Sequence, residues 1–196
     1  KNNIIMISGP APEVGKSFIS TNLATIFAQS NKKILLLDAD VRRGYLHKYF
    51  NQDYQPGLSE YLNQISPLEQ CIKATDVDNL HIMTRGKSPA NPSEMLSSER
   101  FREMLDLLSQ QYDHIIIDTP PVLAVTDSII IAQYSGVNLV VARYAKTQIK
   151  ELELTISRFD QAGVKVNGFI LNDIQRTSGS SYGYNYAYAY TANKDD

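Results

Sequence analysis

Three short segments hold the residues best suited to chemistry. The first is Ser8-Gly9-Pro10-Ala11-Pro12-Glu13-Val14-Gly15-Lys16-Ser17, set between an apolar run and a helical pattern. That strand–loop–helix setting is what a phosphate-binding loop requires. The loop N–H groups can wrap an anion, the helix N-terminus adds partial positive charge, and Lys16 can reach β/γ-phosphates. The Ser17 hydroxyl suits Mg²⁺. The usual spacing has glycine at position 10, and Pro10 removes one N–H from the cradle. An incidental Gly-Lys-Ser turn is the bland alternative, and the context favours nucleotide binding.

The other two segments are acidic. Leu35-Leu36-Leu37 leads into Asp38-Ala39-Asp40-Val41-Arg42-Arg43, and Ile115-Ile116-Ile117 leads into Asp118-Thr119-Pro120-Pro121. In a parallel sheet, strands ending on the phosphate-loop side deliver these carboxylates to one edge. Magnesium on a nucleotide needs one or two carboxylates and keeps several waters. Asp118 fits that role, the Walker B position. Asp38 and Asp40 exceed what the metal demands. Two apart on extended chain, they can face the same side, one holding metal-bound water and the other taking a proton from an incoming hydroxyl. Strand-end turn residues are the competing reading.

The elements that must position these groups follow from periodicity. Apolar runs at Ile4 to Ile7, Ile34 to Leu37, Ile115 to Ile117, Leu139 to Ala142 and Phe169 to Leu171, with a weaker one at Leu80 to Met83, do not alternate. Such runs read as strands covered on both faces. Helical patterns occupy Lys16 to Gln29, with Phe18, Ile19, Leu23, Ile26 and Phe27 on one side, then Pro92 to Leu108, and Ile149 to Ala162 before Gly163. The alternation predicts an α/β protein with a doubly wound, mostly parallel sheet flanked by helices. The expected organisation is one domain over 1–176 and a disordered tyrosine-rich tail over 177–196.

Composition sets bounds. A formal charge of −2 argues against broad phosphate neutralisation, hence against a nucleic-acid partner. A single cysteine, Cys71, excludes an internal disulfide and makes a cysteine zinc site untenable. His47, His81 and His114 lack ligand spacing. Arg42, Arg43 and Lys48 form a basic patch that either steers ATP or acidic tails or is simply solvated; Arg85 and Lys87 share that ambiguity. A first residue Lys1 leads to the expectation of a piece of a longer chain. Five of the twelve tyrosines, Tyr182, Tyr184, Tyr186, Tyr188 and Tyr190, crowd the end between small residues. They read as an edge strand, an aromatic sticker, a disordered tail or phosphoacceptors. Tyr182 follows Leu171 by eleven residues, a reach of roughly 36 Å when extended.

Taken together, ISGPAPEVGKS, LLLDADVRR, IIIDTPP and the tyrosine-rich end resemble the bacterial tyrosine kinases, the cytoplasmic kinase domains of polysaccharide co-polymerases. LSEYL at Leu58 to Leu62 and NPSEML at Asn91 to Leu96 are similar to the proteobacterial branch, and residues other than glycine are tolerated at position 10 of that family. The resemblance implies a P-loop NTPase-type fold and ATP- and Mg²⁺-dependent phosphorylation of the tail tyrosines between neighbouring subunits. By position, it implies nucleotide contacts from Gly9, Pro12, Glu13, Val14, Gly15, Lys16, Ser17 and Phe18, and an adenine-side contact from Asn172. It further implies metal contacts from Ser17, Asp38 and Asp118, and catalytic roles for Lys16, Asp38 and Asp40. The expected partners are a homo-oligomeric ring, neighbouring tails and a cognate tyrosine phosphatase. The implied place is the cytoplasmic face of the bacterial inner membrane, reached through upstream segments outside these residues. A Glu-x-x-Arg-x-x-Arg assembly helix of the family is also not among them. The principal rival is a partition-type regulatory ATPase, whose signature early lysine is replaced by Ala11; a nucleotide-dependent scaffold is the other.

Overall fold

A computed structural model describes residues 2–175, so the five tail tyrosines and the expected tail over 177–196 lie outside the described residues. Seven strands form one sheet: β1 (Ile4–Ser8), β2 (Ile34–Asp38), β3 (Ile72–Ala74), β4 (Leu80–Met83), β5 (His114–Asp118), β6 (Val137–Arg143) and β7 (Gly168–Asn172). Their spatial order is β3-β4-β2-β5-β1-β6-β7. All neighbours pair in parallel except β3, which lies antiparallel to β4 at the edge. Every residue of β2 is buried, as non-alternating apolar runs demand of a central strand covered on both faces. Each such leucine or isoleucine stabilises the fold by about 1.5–3 kcal/mol.

The helices are α1 (Lys16–Gln29), α2 (Leu46–Tyr49), α3 (Leu58–Leu62), α4 (Leu68–Cys71), α5 (Pro92–Leu96), α6 (Glu99–Gln111), α7 (Asp127–Ala132) and α8 (Ile149–Gln161). They cover both sheet faces, burying two apolar clusters. One includes Leu35, Leu37, Phe101, Leu105, Ile115, Ile117 and Phe159; the other includes Ile7, Val14, Ala24, Leu36, Ile116 and Val141.

Two expectations are corrected. The buried face of α1 is formed by Ser20, Ala24 and Ala28, while Phe18 and Ile26 are 51% and 58% exposed. Small side chains let the helix lie close on the sheet, and Ile19, Leu23 and Phe27 of the expected face pack beside them, partly buried. The pattern from Pro92 to Leu108 is two helices rather than one. Ser97 and Ser98 divide them, and the Ser98 hydroxyl accepts from the Phe101 amide at 3.2 Å, capping α6. Phe101, Met104, Leu105 and Leu108 then form its buried stripe. Among the described residues no helix is long and apolar enough to cross a membrane.

The topology decides where chemistry happens. β1, β2 and β5 are adjacent and parallel, with Asp38 opposite Asp118 in register and Ile7 also opposite Asp118. The loop after β1 and both acidic segments therefore share one edge, at the point where strand order reverses. β7 ends at the same edge.

Candidate active site

The loop between β1 and α1 is held from outside. The amide of Val122 donates to the Gly9 carbonyl at 2.9 Å and that of Leu123 to the Pro10 carbonyl at 3.1 Å, so the segment after β5 anchors the loop's start. The loop then turns through left-handed backbone at Glu13 (φ 60) and Gly15 (φ 99). At Gly15 a side chain is doubly barred: the φ favours glycine, and a Cβ would run into the Asn172 amide. Asn172 donates to the Val14 carbonyl at 3.1 Å, and Arg143 Nη1 donates to the Glu13 carbonyl at 3.1 Å. The ends of β6 and β7 thus clamp the cradle. Asn172, expected on the adenine side, is placed against the back of the loop.

An open cavity of about 1000 Å³ faces this edge. Pro12, Glu13, Gly15, Lys16, Ser17, Phe18 and Arg143 line part of it. Asp40, Arg42, Tyr45 and Tyr49 line it from the turn after β2 and α2, Ser88, Pro89, Ala90 and Pro92 from the approach to α5, and Pro120, Pro121, Ala124 and Val125 from the segment that anchors the loop's start. Of the expected nucleotide contacts, Gly9 and Val14 do not line it; Val14 is buried behind the loop.

The three carboxylates are not equivalent. Asp40 lines the cavity, its Oδ1 accepting from the amides of Arg42 (3.3 Å) and Arg43 (2.9 Å). Asp38 and Asp118 lie beneath, 0% and 1% exposed. Asp118 accepts from the Ser17 hydroxyl at 2.6 Å and the Ser20 hydroxyl at 3.1 Å. Burial pushes its carboxyl up to about 6, against the pull of Ser17 and Lys16. Asp38 Oδ2 accepts from the Leu46 amide at 3.1 Å, while its Oδ1 is buried without a hydrogen-bond partner among the described residues. Burial, aided by the charge of Asp118, holds Asp38 well above the usual carboxylate range. Gly44 makes this possible, since a Cβ there would strike the Asp38 carboxylate. Lys16 is 8% exposed, and burial lowers its ammonium while Asp118 and Asp40 oppose the shift.

No cluster of three or more His, Cys, Asp or Glu side chains is gathered for a metal among the described residues. Magnesium carried by a nucleotide does not need one: a hydroxyl and one or two carboxylates complete its shell beside phosphates and water. Ser17 and Asp118 are already in contact, and the buried Asp38 carboxylate belongs to the adjacent strand, its Cα paired with that of Asp118. The donor set fits the ion.

Several residues of the site carried little sequence signal. Ser20 was findable, three positions after Ser17 on one helix. Arg143, Asp127 and the proline-rich wall are brought in only by tertiary folding. Of the ambiguous basic residues, Arg42 is paired with buried Asp127, and Arg85 donates to the carbonyls of Gly44 and Gly86.

Residues 2–168 match the family described as AAA domain. The chain is 71% identical over 178 residues to "Tyrosine-protein kinase ptk" of Acinetobacter johnsonii, covering 91% of this chain and 24% of that protein. It is 45% identical over 192 residues to "Tyrosine-protein kinase wzc" of Salmonella typhimurium, covering 97% of this chain and 27% of that one. The chain thus spans about a quarter of the length of these curated relatives. Among solved structures, the kinase domain of Escherichia coli tyrosine kinase ETK superposes with a TM-score of 0.88 at 43% identity, over 94% of this chain and 73% of that one. With a nucleotide cradle, two buried carboxylates and one open one on a shared edge, the chain belongs to the AAA-domain family and, within it, to the bacterial tyrosine-kinase domains.

Proposed function

We propose that this domain transfers the γ-phosphoryl group of Mg·ATP to tyrosine hydroxyls, with Tyr182, Tyr184, Tyr186, Tyr188 and Tyr190 of a neighbouring copy as principal acceptors. The observation that carries the reading is that Lys16, Ser17 and Asp40 line one cavity, with Asp118 buried in contact with Ser17. Phosphoryl transfer has a loose transition state, so positioning and charge stabilisation do most of the work. The loop amides and Lys16 hold the phosphates. Ser17 and Asp118, with Asp38 behind them, would hold magnesium carried by the nucleotide, and the ion would neutralise charge on the phosphate oxygens. Phe18, half exposed at the rim beside Pro12, offers an apolar face to the nucleotide's outer part.

A tyrosine hydroxyl, with a pKa of about 10, is a poor nucleophile at neutral pH. Asp40 accepts its proton as the new P–O bond forms and the bond to the β-phosphate oxygen breaks. Asp40 suits that task better than Asp38, which is sealed beneath Gly44. Small apolar residues, Ala90, Pro92, Ala124 and Val125, line the same cavity and leave room for a phenol ring. Each phosphotyrosine adds about −1.5 to −2 charge, so five convert a near-neutral chain into a strongly acidic one, a basis for switching ring assembly reversed by a phosphatase. We place the domain at the cytoplasmic face of the inner membrane, governing capsular or exopolysaccharide export.

Incubating the chain with Mg·ATP in an assembled, membrane-like context and mapping phosphotyrosine by mass spectrometry tests the reading. Phosphate on tail tyrosines, absent in Lys16→Met, is expected. Blank spectra from the unsubstituted chain overturn it.

A further inference from the structure

An ionic latch between the partly exposed Arg42 and the buried Asp127 joins separate segments of the cavity lining. Asp127, the first residue of α7, is fully buried. It accepts from Arg42 Nε at 2.7 Å, from Arg42 Nη2 at 3.2 Å and from the Ser93 hydroxyl at 2.6 Å. These donors belong to separate segments, the turn after β2 and helix α5. Each anchored point adjoins the cavity: Arg42 and Asp40 line it from the turn, Pro92 precedes Ser93, and Ala124 and Val125 lead into α7.

A purely structural staple would be an odd use of this chemistry. Desolvating Asp127 offsets much of the attraction and the 37% exposed Arg42 side chain is screened by water, so the pair's net contribution to stability is modest; what it does supply is one fixed arrangement. The turn also closes without it, since the Gly44 amide donates to the Asp40 carbonyl at 2.6 Å. What the latch adds is position. It fixes Arg42, whose amide donates to the Asp40 carboxylate, relative to the stretch from Ser88 to Pro92 that lines the cavity.

We propose that Asp127 is a positioning residue for phosphoryl transfer, locking Arg42 and Ser93 so that Asp40 and the acceptor wall keep a fixed separation. This rests on the kinase reading above. Among the described residues no hydrogen bond joins the latch to Lys16, Ser17 or Asp118; its direct ties are to the Arg42 turn and to α5. A displacement of about 1 Å at a reacting group costs on the order of a hundredfold in rate.

The test uses the full chain with Asp127→Asn, Ser93→Ala and Arg42→Lys, the last keeping the charge but not the fork. Three quantities are read: affinity for ADP, kcat and KM for a synthetic peptide of residues 181–191, and hydrogen exchange at the Arg42 and Arg43 amides. The expected result for Asp127→Asn is ADP affinity unchanged within about twofold, faster exchange at both amides, and kcat reduced about ten- to a hundredfold with a raised peptide KM. Ser93→Ala and Arg42→Lys should fall between it and the parent, and they serve if Asp127→Asn does not fold. Unchanged kcat, or ADP affinity falling in step with kcat, overturns the latch. If the parent chain transfers no phosphate, the kinase reading fails, and the exchange of those two amides alone decides the latch, unchanged exchange refuting it.

Discussion

On the phosphate side of the cavity, positions are set by main chain and by buried, hydrogen-bonded side chains: carbonyls of Gly9 and Pro10 pinned from the β5 side, carbonyls of Glu13 and Val14 pinned by Arg143 and Asn172, and Ser17 held by Asp118. Elsewhere on the cavity a short turn carries Asp40 and Arg42, beside prolines and alanines whose side chains are apolar, and the Asp127 latch joins the parts. The difference matches two tasks. A triphosphate is the same at every turnover and favours a preorganised cradle; a tail offering five tyrosines needs a smooth wall that admits each of them.

The contrast can be broken from either side. The largest effect is expected on the phosphate side. Lys16→Met removes the ammonium from the phosphates and should lower transfer by about a hundredfold or more, read as phosphotyrosine per unit time. An unaffected rate would mean that the cradle is not the phosphate site. On the other side, Gly44→Ala forces a Cβ against the buried Asp38 carboxylate. It should destabilise the fold by about 1–3 kcal/mol, or roughly 2–4 °C in Tm per kcal/mol for a chain of this size, measured by thermal unfolding. An unchanged Tm would show that the turn is not packed on Asp38.

A smaller effect separates the buried carboxylates from the open one. Asp118 sits at about 6, above its ordinary 3.8, so folding favours its protonated form. That contribution is fully present below about pH 4 and is lost as pH rises through about 6. Urea unfolding of the unliganded chain should therefore show this part of the stability declining from pH 4 to 7. Asp118→Asn should flatten the slope and abolish transfer together, a trade of stability for function. A slope unaltered by the substitution would place the titration elsewhere.

Much of this was legible in the sequence because it is local. Non-alternating runs such as Ile34 to Leu37 mark central strands, and Gly15-Lys16-Ser17 after a strand marks the cradle. The end of each acidic strand places Asp38 and Asp118 once the sheet is taken as parallel. What escaped depends on packing or distance. The face of α1 was legible in part: Ile19, Leu23 and Phe27 pack against the core, but Ser20, Ala24 and Ala28 at its buried centre carry no apolar signal, although close helix–sheet contact selects small residues. The break at Ser97 and Ser98 hid inside an otherwise helical pattern. Arg42 and Asp127 lie 85 residues apart, and no spacing rule joins them. The distinction between Asp38 and Asp40 rests on burial, which two carboxylates in one short motif do not reveal.

The most direct test is single-turnover phosphotyrosine formation by Asp40→Asn at saturating Mg·ATP. Removing the proton acceptor while leaving the cradle intact should slow the transfer step by about a hundredfold or more. Transfer at the parent rate would contradict the assignment of Asp40 to the acceptor hydroxyl, and with it the division of the cavity into a phosphate wall and an acceptor wall.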